Sequence, residues 1–147
     1  MLNSFKKKFL QIAKDKDSKK SSIDSPESGQ TELVQPLTEA WIGVDLDGTL
    51  AYYDRNSSIK KVGTAIPDML ELVKKMINNG IRVKIFTARA TDPEQLPLIR
   101  KWLKTNGLPE LEITNIKDYY MQKLYDDRCI QVERNTGRLI NENLSEK

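Results

Sequence analysis

Histidine is absent from the 147-residue chain, and cysteine occurs once, at position 129. The lack of histidine excludes Ser-His and Cys-His nucleophile pairs, histidine-ligated zinc and histidine general bases. One cysteine excludes an intrachain disulfide and a cysteine-rich zinc site, is compatible with a reducing cytosol, and is most simply interpreted as a small core residue. Any hydrolytic chemistry must therefore depend on carboxylates, lysines, hydroxyls and a hard metal ion.

Long apolar runs and a strong excess of one charge are also missing. No stretch approaches the ~20 apolar residues of a membrane span, and no apolar segment of a secretory signal follows the N-terminal lysines. The net charge of +3 gives little support for nucleic acid as an obligatory partner. With 38% hydrophobic and 31% charged residues, the chain is expected to form a cytoplasmic globular domain with its own core.

Residues 1–40 differ in composition from the rest of the chain. Residues 1–20 are rich in lysine, whereas residues 21–40 are acidic; within them, residues 21–29 lack the apolar side chains to build a core, which predicts a disordered linker. Leu2, Phe5, Phe9 and Ile12 fall at helical spacing among the lysines. We favour a solvated tail, because charged termini are commonly disordered. The alternative is a basic amphipathic helix that contacts an anionic membrane or a partner surface through residues 1–20.

Residues 41–141 have the pattern of a folded domain, and residues 142–147 are a polar tail. Strands are predicted at 41–44, 81–86, 111–114, 123–125 and 129–132. One helix is predicted over 66–79, and a second begins near Leu96 and ends before Gly107. Strand 81–86 alternates apolar and charged residues, which favours a half-exposed position near a sheet edge. Asn135-Thr136-Gly137 predicts a hairpin turn. Strands alternating with helices indicate an α/β domain with a mainly parallel sheet.

The stretch Trp41–Leu50, with the sequence WIGVDLDGTL, carries the first chemical signal. A short apolar run bounded by turn residues predicts a buried parallel strand, and open α/β sheets bind ligands at the carboxyl ends of such strands. Asp45 and Asp47 lie at that end, and side-chain alternation points them to the same side. Two adjacent carboxylates repel each other unless a cation or a proton lies between them.

Polar residues also follow three later predicted strands. They are Thr87 in IFTAR, Lys117 in TNIKD and the pair Asp126-Asp127 in LYDDR. Together with DLDGT, and in this order, they resemble the four motifs of the haloacid-dehalogenase-like (HAD) phosphohydrolases over residues 40–140. The stretches ITNIKDYYM and LYDDRCIQVERNTG are similar to a small capless branch found in bacteria and phages. The resemblance implies a Rossmann-like three-layer sandwich, the HAD-like fold, and a Mg²⁺-dependent phosphatase.

The chemistry of the paired aspartates agrees with that implication. Phosphate monoesters hydrolyse very slowly unaided, and a carboxylate that attacks phosphorus divides one hard step into two easier ones. Asp45, the first residue after the strand, is the candidate nucleophile that forms an aspartyl-phosphate. Asp47 is the candidate acid and base, which protonates the leaving oxygen and then activates water.

Attack by an anion on an anion also needs cations. Mg²⁺ prefers oxygen ligands, and the predicted ligands are Asp45, Asp47 through its backbone carbonyl, Asp126 and Asp127, with the direct ligand of the last pair left open. The Thr87 hydroxyl and the Lys117 ammonium are the predicted phosphate-binding groups, with Lys123 as the alternative lysine. Arg89 and Arg128 are further phosphate-binding candidates, for which surface ion pairing is at least as good an interpretation.

The spacing of the motifs leaves no room for a large cap domain. The intervals from Asp45 to Thr87 and from Thr87 to Lys117 are mostly filled by one helix and one strand each. An uncapped site is open to a small-molecule or nucleotide phosphate ester, with Tyr52, Tyr53 or Tyr119 as stacking surfaces. A macromolecular phosphorylated substrate fits the same geometry.

A non-catalytic phosphoacceptor switch or binding module is the rival interpretation. An acidic pocket with a phosphoacceptor aspartate, a threonine and a lysine also describes bacterial response-regulator receivers. The second carboxylate, Asp47, separates the two, because a hydrolase needs it as acid and base whereas a stable phospho-aspartate switch does not.

Overall fold

The computed structural model describes residues 39–140. Its centre is a parallel four-stranded sheet in the order β3-β2-β1-β4, formed by β1 (Trp41–Val44), β2 (Val83–Phe86), β3 (Glu112–Thr114) and β4 (Met121–Tyr125). Helix α1 (Pro67–Asn78) links β1 to β2, and α2 (Gln95–Thr105) links β2 to β3. The predicted α/β domain with a mainly parallel sheet is confirmed. The proposed amphipathic helix, the linker and the C-terminal tail lie outside the described residues.

Both helices pack on the same face of the sheet. Strand alternation and register place the buried aliphatic residues of β1 and β2 on that face, and they form one core with both helices. The core residues from these elements are Ile42, Val44, Val83 and Ile85 of the strands, Val73 and Met76 of α1, and Ile99 and Leu103 of α2. Each such side chain stabilises the fold by about 1.5–3 kcal/mol when fully buried.

The ends of the helices follow the signals in the sequence. Helix α1 begins at Pro67, where a missing N–H costs nothing, and the chain leaves it at Gly80 with a φ of 74° that favours glycine. Helix α2 begins at Gln95, one residue before the expected start at Leu96. Asp92 caps the turn before it by accepting a hydrogen bond from the backbone N–H of Glu94 at 3.0 Å.

The second face of the sheet carries no helix within residues 39–140. Strands β3 and β4 form opposite edges of the sheet, and the segment 115–120 that joins them crosses this face instead. Asp118 in this segment accepts a hydrogen bond from the indole Nε1 of Trp41 at 2.8 Å and lies 3.9 Å from Lys84 Nζ. The described residues therefore supply two of the three layers that the resemblance implies.

The expected half-exposed strand near a sheet edge is wrong. Strand β2 lies between β1 and β3, and its Lys84 is only 7% exposed. The Lys84 ammonium donates to Glu112 Oε1 at 2.8 Å and lies 4.4 Å from the centre of the Trp41 ring. An aromatic face and a carboxylate substitute for water around this cation, so the alternating charges of this strand do not indicate solvent.

Later boundaries also differ from the expectation. Strand β4 begins at Met121 rather than at 123, and the strand predicted over 129–132 shortens to β5 (Gln131–Val132), which pairs with β6 (Leu139–Ile140) in a separate antiparallel hairpin. The turn at Asn135-Thr136-Gly137 is confirmed, because Asn135 and Gly137 have φ values of 64° and 77°. Within residues 39–140, no helix combines the length and the apolar character needed to cross a membrane.

Candidate functional site

The carboxyl ends of β1, β2 and β4 open into a cleft of about 700 Å³. Three neighbouring parallel strands end on the same edge of the sheet, so side chains distant in sequence meet there. The predicted site residues that line the cleft are Asp45, Asp47, Thr87 and Asp126. Arg89, Arg128, Tyr53, Ile59 and Asn115 line it as well.

The carboxylates of Asp45, Asp126 and Asp127 form one cluster. Each offers an oxygen within 4.8 Å of the other two. The backbone N–H of Asp45 donates to the carbonyl of Tyr125 at 2.8 Å, which fixes the end of β1 against the end of β4. Three of the four predicted metal ligands are thus brought together by the pairing of two strands.

The cluster has a high density of negative charge. Burial, followed by repulsion from Asp126, Asp127 and Asp47, raises the pKa of Asp45 to about 6, although a hydrogen bond from the Leu46 backbone opposes the shift. A divalent cation removes this repulsion. Three carboxylates gathered at one point offer the hard oxygen donors that Mg²⁺ prefers. The chemistry of the donor set fits Mg²⁺.

Asp47 turns away from this cluster and pairs with Arg89. Arg89 Nε lies 2.6 Å from Asp47 Oδ2, and Arg89 Nη2 lies 2.8 Å from Asp47 Oδ1. Both carboxylate oxygens therefore accept a charge-assisted hydrogen bond in the bidentate geometry that arginine favours. These bonds, together with the charge of Asp47, raise the pKa of Arg89 despite its burial. The Asp47 carboxylate is therefore not part of the acidic cluster.

The remaining donors of Arg89 hold the walls of the cleft. Nη1 donates to the carbonyl of Ile59 at 2.7 Å and to Gln95 Oε1 at 3.0 Å, and Nη2 donates to the carbonyl of Lys61 at 3.3 Å. All five N–H donors of the guanidinium are thereby used. Arg89 joins the end of β1, the loop 52–64 and α2. The sequence reasoning named this arginine but did not find its role, because its partner lies 42 residues away.

Thr87 follows β2 and lines the cleft. It is 2% exposed, and its backbone N–H donates to the carbonyl of Thr114 at 2.9 Å. Its hydroxyl oxygen accepts from the backbone N–H of Arg89 at 3.2 Å at the start of a short 3₁₀ turn, Ala88–Thr91. The hydroxyl proton can therefore be donated to an anion in the cleft.

Lys117 is not brought to the cleft. It is exposed, and Asn115 lines the cleft instead. After Asn115 the chain crosses the second face of the sheet. Lys117 lies in this crossing segment and therefore does not line the cleft. Lys123, the alternative, lies within β4 with an exposed side chain and does not line the cleft either.

Gly48 and Thr49 hold Asp127 in the cluster. Thr49 Oγ1 accepts from the backbone N–H of Asp127 at 3.0 Å and lies 3.2 Å from Asp127 Oδ1. Gly48 has a φ of 93°, and a Cβ there would lie 2.8 Å from Asp127 Oδ2. The Gly-Thr pair after the second aspartate is therefore required by close packing, a role that the sequence reasoning did not assign. Asp126 lines the cleft, whereas Asp127 does not.

The predicted stacking tyrosines separate into different places. Tyr53 lines the cleft and is 42% exposed. Tyr52 donates its hydroxyl hydrogen to Asp54 at 3.2 Å, and Tyr119 is 90% exposed and does not line the cleft. Cys129 is exposed rather than in the core, and partial burial and the nearby Asp126 carboxylate raise the pKa of its thiol.

Comparison with known proteins adds little to this geometry. No protein-family model and no curated protein matches the chain. Among solved structures, the chain is similar to a conserved protein from Bacteroides thetaiotaomicron, with 23% sequence identity and a TM-score of 0.47, covering 60% of this chain and 75% of that one. A similarity at this level carries no conclusion about family or activity, so the function has to be inferred from the residues of the cleft.

Proposed function

We propose that the protein is a Mg²⁺-dependent phosphohydrolase that acts on phosphate monoesters through an aspartyl-phosphate on Asp45. The observation that supports this most is the meeting of Asp45, Asp126 and Asp127 at the carboxyl ends of β1 and β4. The order of the four motifs, and the Thr87 hydroxyl in the same cleft, agree with a HAD-like domain.

The reaction has two displacements at phosphorus. An Asp45 carboxylate oxygen forms the new P–O bond while the ester oxygen leaves with its electron pair and takes up a proton. Water then attacks the aspartyl-phosphate, which releases inorganic phosphate and restores the Asp45 carboxylate. Thr87 donates a hydrogen bond to a phosphoryl oxygen. Asp45, Asp126 and Asp127 would hold Mg²⁺, which would supply the neutralising charge.

Asp47 needs a different geometry for one of its two tasks. Both of its oxygens accept hydrogen bonds from Arg89, so the carboxylate offers no proton to a leaving group as it stands. Each of its oxygens keeps a second lone pair, so the carboxylate can still accept a proton from water in this orientation. We assign Asp47 as the base of the second step and as the acid only after it has turned from Arg89.

Hydrolysis of p-nitrophenyl phosphate with Mg²⁺ tests the proposal. Asp45→Asn should reduce the rate to background, because the amide is a far poorer nucleophile. Asp68→Asn is the matched control, since Asp68 is an exposed carboxylate in the first turn of α1. Full activity in Asp45→Asn would refute the mechanism.

The pairing of Asp47 with Arg89 keeps the phosphoacceptor switch as a second candidate. A switch does not need a free second carboxylate, and both oxygens of Asp47 already accept hydrogen bonds from Arg89. Incubation with acetyl phosphate separates the two functions. A phosphatase releases inorganic phosphate continuously, whereas a switch accumulates one long-lived acyl phosphate per chain with no turnover.

The cleft favours a substrate with a flat group next to the phosphate. Tyr53 and Ile59 line the cleft and remain exposed, so they offer apolar surface to a nucleotide base or an aryl ring. Comparison of nucleoside monophosphates with glycerol phosphate in wild type and Tyr53→Ala tests this. Equal turnover of both substrates, unchanged by the substitution, would remove the substrate proposal and leave the reaction type intact.

A further inference from the structure

The phosphoryl group in the cleft needs a protein cation near it, and the residue predicted for that task is elsewhere. This inference rests on the proposed function. Transfer of a phosphoryl group is accelerated by fixed positive charges at its oxygens. Lys117 is exposed and does not line the cleft, because the segment that carries it crosses the second face of the sheet.

Arg89 lines the cleft but has no donor left for a ligand. Its five N–H groups are directed to Asp47, the carbonyls of Ile59 and Lys61, and Gln95. Moving it onto phosphate would leave a carboxylate and two carbonyls without these partners. Arg89 therefore maintains the walls of the cleft.

Arg128 is the other cation that lines the cleft within residues 39–140. Its backbone N–H donates to Asp126 Oδ1 at 2.7 Å, which fixes its Cα beside the carboxylate cluster. Its side chain is 76% exposed, and Nε lies 4.0 Å from Asp127 Oδ2. An exposed ion pair at that distance contributes little to stability, so the guanidinium can turn toward a ligand at small cost.

We propose that Arg128, and not Lys117, is the residue that binds and neutralises the phosphoryl group in the cleft. The guanidinium fork matches two phosphoryl oxygens. Its position directly after Asp126-Asp127 places it at the mouth of the cleft, next to the carboxylates that hold the metal.

Binding of inorganic phosphate in the presence of Mg²⁺, measured by calorimetry, tests the assignment without depending on turnover. Arg128→Met should weaken phosphate binding about tenfold or more, as expected for loss of charged hydrogen bonds. Arg128→Lys should fall between, because it keeps the charge but loses the fork. Arg134→Met, an exposed arginine at the hairpin turn, should bind as wild type does.

Two comparisons make the outcome decisive. Mg²⁺ binding in the absence of phosphate should be unchanged in Arg128→Met. A merely structural role of Arg128 at Asp126 would weaken it. Weaker phosphate binding in Lys117→Met with no change in Arg128→Met overturns the assignment, and so does a wild type that binds no phosphate. If Arg128→Met loses phosphate binding and the wild type hydrolyses no ester, the phosphatase proposal is overturned. Arg128 then remains the phosphate ligand.

Discussion

Arg89 determines what Asp47 and the neighbouring loop can do. Its side chain is 6% exposed and that of Asp47 is 18% exposed, so the pair lies largely away from water. In such a place the electrostatic interaction is strong, but so is the cost of leaving one partner alone. The bidentate pair therefore fixes the Asp47 rotamer, and the bonds to the carbonyls of Ile59 and Lys61 fix the loop over it.

Arg89→Met should destabilise the protein by about 3–5 kcal/mol, because it leaves a largely buried carboxylate and two carbonyls unpaired. Equilibrium urea unfolding measures the change. Arg100→Met is the control, since Arg100 is 53% exposed and lies 3.7 Å from an exposed Glu110, a pair worth about 0–1 kcal/mol. Equal small effects for the two variants would show that the Arg89 network does not support the fold.

The raised pKa of Asp45 predicts an unusual pH dependence of the metal-free protein. The pKa rises from 3.8 to about 6 on folding, so the folded state binds a proton more tightly than the unfolded state. The stabilising contribution is therefore full below about pH 4 and is lost as the pH rises through 6. Asp45 is only partly buried, so solvent screening reduces the size of the effect.

Thermal unfolding in EDTA between pH 5 and pH 8 measures this dependence. The wild type should lose stability as the pH rises toward 7, and Asp45→Asn should remove that trend and be the more stable protein at pH 7. An identical pH profile in the two proteins would show that Asp45 is not under electrostatic strain. Mg²⁺ should remove the trend in the wild type, because the ion replaces the proton.

At the scale of the elements, the second face of the sheet shows how a short connection can replace a helix. Segment 115–120 is anchored by the bonds of Asp118 to Trp41 and to its own turn, including the backbone N–H of Tyr120 at 2.9 Å. The Lys84 ammonium lies between this segment and Glu112 of β3. Trp41, Lys84 and Asp118 together close a face that would otherwise expose β1 and β2.

Substitutions at Lys84 test whether charge or packing matters more on this face. Lys84→Met should cost less than about 1.5 kcal/mol, because the methylene stem still covers Trp41 and the carboxylates it leaves stay partly hydrated. Lys84→Glu should cost several times more, since it brings three carboxylates together at a position where the Lys84 residue is only 7% exposed. Urea unfolding, followed by tryptophan fluorescence, measures both.

A large loss in Lys84→Met that equals the loss in Lys84→Glu would mean that the ammonium itself holds segment 115–120 in place. Folded Lys84→Met protein should bind Mg²⁺ as the wild type does, because Lys84 does not line the cleft.

At the scale of the whole molecule, local rules predicted several features correctly, although the alternating charges of β2 predicted solvent exposure that the structure does not show. The strand Trp41–Val44, the start of α1 at Pro67 and the meeting of Asp45 with Asp126 follow from periodicity and from the geometry of parallel strand ends. Pairings between distant residues could not be read in this way. The pairing of Arg89 with Asp47 depends on the three-dimensional path of the chain. The position of Lys117 outside the cleft depends on a connection between β3 and β4 that is too short to form a helix.

The metal site should connect these distant parts of the molecule. Asp45 follows β1, and Asp126 and Asp127 follow β4, so an ion bound by all three would join the ends of two paired strands. Binding that is confined to the folded state stabilises it by about 2.7 kcal/mol at one hundred times the dissociation constant. For a domain of about 100 residues, this corresponds to a rise in Tm of roughly 10 °C or more.

We therefore expect Mg²⁺ to raise the Tm of the full chain at pH 7.5, and Asp126→Asn to remove most of that rise. Asp127→Asn should remove less, because the Asp127 side chain does not line the cleft and one of its oxygens already accepts a hydrogen bond from the Thr49 hydroxyl at 3.2 Å. Asp92→Asn, a cleft residue outside the cluster, is the control and should keep the full rise. Differential scanning calorimetry at several Mg²⁺ concentrations measures the shifts. Equal shifts in Asp126→Asn and in the wild type would show that the acidic cluster does not bind the ion, and Thr49→Val should then also leave the Mg²⁺ response unchanged.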